Sequence, residues 1–104
     1  MWELGRQGTG YEKLKIFSFW RVDCYLLRLP EGSYIPKHVD KIDSGKHYRL
    51  NIILKDAKVG GVFICDNPIY ETKRVKLFRS DLSEHSVAMV IKGTRYVLSI
   101  GWSK

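Results

Sequence analysis

Ser86-Val-Ala-Met-Val-Ile-Lys-Gly-Thr-Arg-Tyr-Val-Leu-Ser-Ile-Gly-Trp102 consists of two apolar runs broken once, at Lys92-Gly93-Thr94. Val, Ile, Tyr and Trp fit a pleated, half-buried surface, and glycine between two such runs marks a tight turn. The segment therefore predicts a β-hairpin over residues 86–102. The same texture recurs upstream in residues 15–20, 22–29, 48–54, 62–65 and 74–78. Pro30-Glu-Gly32, Asp43-Ser-Gly45, Gly60-Gly61 and Asp66-Asn-Pro68 punctuate these runs as turns. Nothing sustains apolar i, i+3, i+4, i+7 spacing for three turns, and only the first dozen residues leave room for one short helix. Seven or eight short strands with frequent turns predict an all-β antiparallel sandwich or small barrel.

The 104 residues suffice for a single domain spanning 1–104, and Met1 predicts a compact stand-alone product. Hydrophobic residues at 44% and charged residues at 28% exclude a disordered tail or a fibre. No apolar run approaches the ~18 residues of a membrane span, and the start lacks a secretory signal pattern. Cys24 and Cys65 each lie in a strand-like apolar run, form no C-x-x-C pair, and read as reduced thiols of a cytoplasmic protein. Eighteen Lys and Arg against 11 Asp and Glu give +7, which favours anionic partners, nucleic acid among them. The basic residues divide evenly about residue 50, so no tail or block concentrates them.

Chemistry concentrates on few residues. In Lys37-His-Val-Asp-Lys41, His38 and Asp40 stand at i and i+2, the spacing that puts two strand side chains on one face. With His85, 45 residues after Asp40, they make the two-His, one-carboxylate set that occupies one face of an octahedral ion. Such a site leaves positions for a chelating co-substrate and O2. Arg95 follows His85 by ten residues, just past the predicted turn, and offers a planar fork for a carboxylate.

These motifs together resemble the Fe(II)- and 2-oxoglutarate-dependent dioxygenases, in particular the prolyl-4-hydroxylase-like branch. The resemblance runs from Val22 to Trp102 through Leu29-Pro-Glu-Gly-Ser-Tyr-Ile-Pro-Lys-His-Val-Asp40, Arg49-Leu-Asn-Ile-Ile-Leu54 and Gly60-Gly-Val-Phe63. It continues through Arg74-Val-Lys-Leu-Phe-Arg-Ser-Asp-Leu-Ser-Glu-His85 and Gly93-Thr-Arg95. It implies a double-stranded β-helix, a jelly roll of the cupin kind. It also implies Fe(II) held by His38, Asp40 and His85, with the distal carboxylate of 2-oxoglutarate on Arg95. The activity implied is hydroxylation of a substrate C–H bond coupled to decarboxylation of 2-oxoglutarate, with a protein side chain such as proline as the family-weighted substrate. The rim loops 30–37, 41–47 and 66–73 would select that substrate.

Two departures from that pattern stand out. Many relatives hydrogen-bond 2-oxoglutarate through a tyrosine on the strand after H-x-D, where this chain has Ile52 and Ile53. Asn51, Ser99 and Tyr25 are the candidates to replace it. The chain is also short of the helices that usually cover one sheet, which predicts oligomerisation or a polar outer face. The other reading is a non-catalytic cupin-like module that binds metal, nucleic acid or protein. Arg49 reads as a strand-edge salt-bridge residue, His47 as solvent-facing, and Trp2, Trp20 and Trp102 as core or sheet cover.

Overall fold

The computed structural model describes residues 2–5, 8–42 and 45–104. Among these there is no helix; the chain is all-β. The strands are β1 (Trp2–Leu4), β2 (Glu12–Phe19), β3 (Val22–Leu29), β4 (Ile35–His38), β5 (His47–Lys55) and β6 (Val59–Gly60). They continue with β7 (Phe63–Cys65), β8 (Tyr70–Glu71), β9 (Val75–Arg79), β10 (His85–Val87), β11 (Val90–Lys92) and β12 (Arg95–Ser103). A seven-stranded sheet runs β1-β2-β3-β12-β5-β9-β8 and faces the smaller sheet β4-β10-β7 across a cavity lined from both sides; β11-β6 forms a third, two-stranded sheet. This is a double-stranded β-helix.

The segment 86–102 does not form the predicted hairpin. Met89 lies between β10 and β11, β11 pairs with β6, and β12 crosses to the large sheet between β3 and β5. The physical reason is ladder length. β12 has nine residues, and both its edges carry backbone groups that need partners; β3 and β5 supply eight register pairs each, where β11 has only three residues to offer. Gly93, at φ +88°, makes the crossing: its N–H donates to Glu31 Oε2 (2.9 Å) while Lys58 N–H donates to the Lys92 carbonyl (2.9 Å).

The first dozen residues are not helical where described: β1 pairs with β2 at the sheet edge, and Gly8 and Gly10 adopt positive φ. So short a stretch has no apolar stripe to bury as a helix, whereas an edge strand needs only one neighbour. In the Asp43-Ser-Gly45 turn, Asp43 and Ser44 lie outside the described residues. Trp20 is 86% exposed at the β2–β3 turn, not core or cover, because its backbone sits in the left-handed region (φ 54°) and projects the ring outward. Trp102 stacks on Tyr48 (5.7 Å between centroids), and the Arg28 guanidinium covers Trp2 at 4.0 Å.

The apolar core gathers at one end of the cavity, where Tyr11, Leu29, Val87 and Val90 pack with Leu27, Ile35, Ala57 and Phe63. The outer faces of the small sheets stay apolar and exposed at Val62, Ile64, Met89 and Ile91. Both thiols are free; burial pushes Cys65 up to about 11. No helix of the described residues is long and apolar enough to cross a membrane.

A bidentate ion pair fixes the corner after β9. Arg79 Nε and Nη2 donate to Asp81 Oδ1 and Oδ2 (2.8 and 2.6 Å), and Asp81 Oδ1 also accepts the His47 N–H (3.2 Å). The Arg79 hydrogen bonds hold the Asp81 carboxyl at about 2. Because the folded value lies below the unfolded one, this stabilisation is full above pH ~4 and is lost as pH falls toward 2. Asp81→Asn is expected to lower the urea midpoint at pH 7 and to flatten the decline between pH 4 and 2. An unchanged acid limb would remove Asp81 from the account.

Candidate metal centre

The two histidines meet because β4 and β10 are antiparallel neighbours in a register that sets His85 opposite His38. Their rings lie 4.4 Å apart at 57°. His38 Nδ1 is 2.7 Å from the Pro36 carbonyl and His85 Nδ1 is 2.9 Å from the Ser83 carbonyl. A carbonyl only accepts, so each Nδ1 donates a hydrogen bond to it, and each Nε2 is left turned toward Asp40 and the cavity. Asp40, two residues past β4's last ligand position, is tied down by its N–H to the Ser80 carbonyl (2.8 Å). Its Oδ1 lies 3.4 Å from His38 Nε2 and 4.0 Å from His85 Nε2, and the three ligand atoms all fall within 4.8 Å of one another.

Electrostatics prepare the set. Burial acts to raise Asp40, but the His38 interaction and the charges of His85 and Arg49 outweigh it and hold the carboxyl at about 2. Burial pushes His85 down, against its Ser83 hydrogen bond and Asp40, so its imidazole is neutral at pH 7. Two imidazole nitrogens and one ionised carboxylate oxygen are the donor set that suits a divalent transition ion.

The triad opens into a cavity of about 400 Å³, within the roughly 300–1,000 Å³ of small-molecule sites. Its opposite wall is the inward face of β12, where burial alternates with period 2 through Arg95, Val97, Ser99 and Gly101. Arg95 is 3% exposed; its Nη1 donates to Asp56 Oδ1 (2.9 Å), while its Nε is buried without a hydrogen-bond partner among the described residues. Tyr25, Ser99 and Asn51 stand in one cross-strand row over β3, β12 and β5, and Ser99 Oγ donates to Asn51 Oδ1 (2.7 Å). The structure thus brings all seven sequence candidates to one cavity, although Arg95 arrives by crossing between sheets and not through a hairpin turn.

Arg49 and His47 need correction. Arg49 is not at a sheet edge: β5 lies between β12 and β9, and the guanidinium reaches across β12 to Asp23. Its Nη2 donates to Asp23 Oδ1 and Oδ2 (3.0 and 3.2 Å) and its Nη1 to Ser99 Oγ (2.8 Å). His47 is half-buried in the cavity wall, not solvent-facing, with Nδ1 3.0 Å from Ser103 Oγ; burial and the Arg49 charge push it down. The signal for Arg49 was present in the sequence, since residues 49, 51 and 53 share a face.

No family model matches the sequence, and no curated protein matches it. Solved structures do. The Schizosaccharomyces pombe Cnp3 cupin domain superposes with a TM-score of 0.68 at 11% identity, over 90% of this chain and 65% of that one. An RmlC-like cupin with a double-stranded β-helix fold from Methanocaldococcus jannaschii gives 0.61 at 15% identity, over 99% and 89%. Rhodobacter sphaeroides SigE in complex with the anti-sigma ChrR gives 0.61 at 18%, over 98% and 48%. The chain therefore spans less than two thirds of the Cnp3 domain's chain and about half of the Rhodobacter one. At these identities the likeness establishes the fold, a cupin double-stranded β-helix.

Arg49 can cross β12 only because position 101 has no side chain: a Cβ on Gly101 would lie 2.3 Å from Arg49 Nη2. Gly101→Ala is expected to displace the guanidinium from Asp23 and Ser99 and to cost about 1–3 kcal/mol in urea unfolding. No loss of stability would mean that Arg49 does not pack over this strand.

Proposed function

We propose that the protein is an Fe(II)- and 2-oxoglutarate-dependent dioxygenase. The observation that carries this reading is one cavity holding both a two-His, one-carboxylate set and a buried arginine with an unpartnered N–H. His38, Asp40 and His85 are the metal ligands, and Arg95 takes the distal carboxylate of 2-oxoglutarate. When bound, Fe(II) with 2-oxoglutarate and O2 supplies the oxidation: one oxygen atom enters the succinate formed with CO2, and the other converts a substrate C–H to C–OH.

The protein's own residues perform binding, orientation and exclusion of water. Pro36 and Ser83 carbonyls fix the tautomer of each histidine, so the ligand lone pairs need no rearrangement when metal enters. Asp56 anchors one arm of Arg95 and leaves the Nε–H for an incoming carboxylate. Ser99, Asn51 and Tyr25 line the floor between the metal ligands and Arg95, where the branch's tyrosine is missing, and supply polar contacts to the bound acid. Ile35, Phe63, Phe78 and Val87 wall the cavity with apolar surface that keeps bulk water from the reacting centre. The substrate is a protein side chain such as proline or a small molecule, selected by the rim loops. The free thiols agree with a reducing, cytoplasmic setting.

A second reading is a cupin-like binding module, favoured by the Asp56–Arg95 ion pair, which already occupies part of the guanidinium. Its partner would be protein or nucleic acid; the solved SigE–ChrR complex is a protein assembly, and the +7 charge suits nucleic acid.

Anaerobic titration of Fe(II)-loaded protein with 2-oxoglutarate separates the two. The dioxygenase reading predicts a visible metal-to-ligand charge-transfer band. In Arg95→Ala the 2-oxoglutarate affinity should fall roughly ten- to a hundredfold, the loss of charged hydrogen bonds, while metal binding is kept. Metal binding without any band would favour the module.

A further inference from the structure

The cavity carries more positive charge than a metal centre and a co-substrate anchor use. Lys13, Lys41, Arg49 and Arg95 line it against the carboxylates of Asp23 and Asp40. Asp23 is engaged by Arg49, Asp40 belongs to the triad, and Arg95 is balanced by Asp56. Lys13 and Lys41 are left: among the described residues neither has a carboxylate within ion-pair distance. A cation on a cavity wall, unbalanced by protein, raises the local concentration of anions and favours their binding.

The backbone of Lys13 lies in the Leu27–Val97 row, four residues from the Asp23–Gly101 row that Arg49 covers, and its side chain spans part of that distance. Lys13 pairs in register with Leu27 on the inward side of β2, and its ammonium lies 5.2 Å from the centroid of the Tyr25 ring. Tyr25 is two residues from Asp23 on the same face of β3, and Asp23 holds the Arg49 guanidinium. The Lys13 ammonium by Tyr25 and the Arg49 Nη1 on Ser99 thus approach one another in a strip along the Tyr25–Ser99 row, while Arg95 lies four residues from Ser99 along β12, about 13 Å toward the other end. Arg49 is also the arginine whose charge reaches Asp40 and His85, so the strip lies at the metal's end of the cavity.

We propose that the substrate carries an anionic group, a carboxylate or a phosphate, seated on Lys13 and Arg49 with Lys41 at the mouth. This deepens the dioxygenase reading and rests on it for the division of the cavity: co-substrate at Arg95, substrate at the Lys13–Arg49 strip. Arg49 keeps its bonds to Asp23 and Ser99 and contributes charge, while Lys13, opposite Glu3 in register, supplies an ammonium beside the Tyr25 ring.

The test is an NMR titration with inorganic phosphate of Zn(II)-loaded protein saturated with N-oxalylglycine, a non-reactive 2-oxoglutarate analogue. Saturable amide shifts at Lys13, Tyr25 and Arg49 are expected, weakened roughly fivefold in Lys13→Ala, kept in Lys13→Arg, and reduced by added sodium chloride. Lys41→Ala, at an exposed position, should give a smaller loss. Binding unchanged in Lys13→Ala, or shifts confined to Arg95 and its neighbours, would overturn the proposal. A parallel titration without metal or analogue keeps the two claims apart. If the analogue fails to bind while phosphate still shifts Lys13, the anion site stands and the dioxygenase reading falls. If the analogue binds and phosphate does not, the reverse holds.

Discussion

Two imidazoles and a carboxylate converge within 4.8 Å, with Asp40 Oδ1 3.4 Å from His38 Nε2 and 4.0 Å from His85 Nε2. Against burial, the His38 interaction and the nearby charge of Arg49 keep the Asp40 carboxylate ionised at this point. The Nδ1 protons are committed to the Pro36 and Ser83 carbonyls, His85 is held neutral by burial, and Asp40 stays ionised. The surrounding architecture can be understood as the frame that keeps this arrangement in place, through the β4–β10 register and the Asp40–Ser80 backbone bond.

The frame depends on β12. Its position between β3 and β5 gives the large sheet a central strand whose inward face passes from a buried cation through a hydroxyl to a glycine. Arg95 and Arg49 end up at opposite ends of that face for different reasons. Arg95 is part of β12 itself; Arg49 comes from the neighbouring strand and lies over the space that Gly101 leaves. One cation thus stands apart from the His38–Asp40–His85 triad and another nearer to it, a polarity along the cavity suited to a bound molecule with two distinct ends.

Much of this was legible in the sequence because strands expose their alternation. The all-β class followed from short β-rich runs and the double-stranded β-helix from the family resemblance, while period 2 set Asn51 and Ile53 on one face. What stayed hidden was pairing. Residues 86–102 look like a hairpin locally, yet β12 finds two long partners elsewhere, and no local pattern reports which distant strand will satisfy a ladder. Arg49 was underrated for the same reason: its importance comes from crossing to Asp23, 26 positions away, over a glycine whose role is visible only in register. Trp20 was misplaced because the sheet's twist and a left-handed turn residue decide its direction, and the aromatic character alone does not. His47 gained its cavity position from the Asp81 corner, again a long-range contact.

The most direct measurement is anomalous diffraction at the iron edge from crystals grown anaerobically with Fe(II) and 2-oxoglutarate. The account predicts one strong peak bonded to His38 Nε2, His85 Nε2 and an Asp40 oxygen, with 2-oxoglutarate chelating it and reaching Arg95. A peak away from the triad would contradict the metal assignment, and a distal carboxylate seated on Arg49 would contradict the roles given to the two arginines.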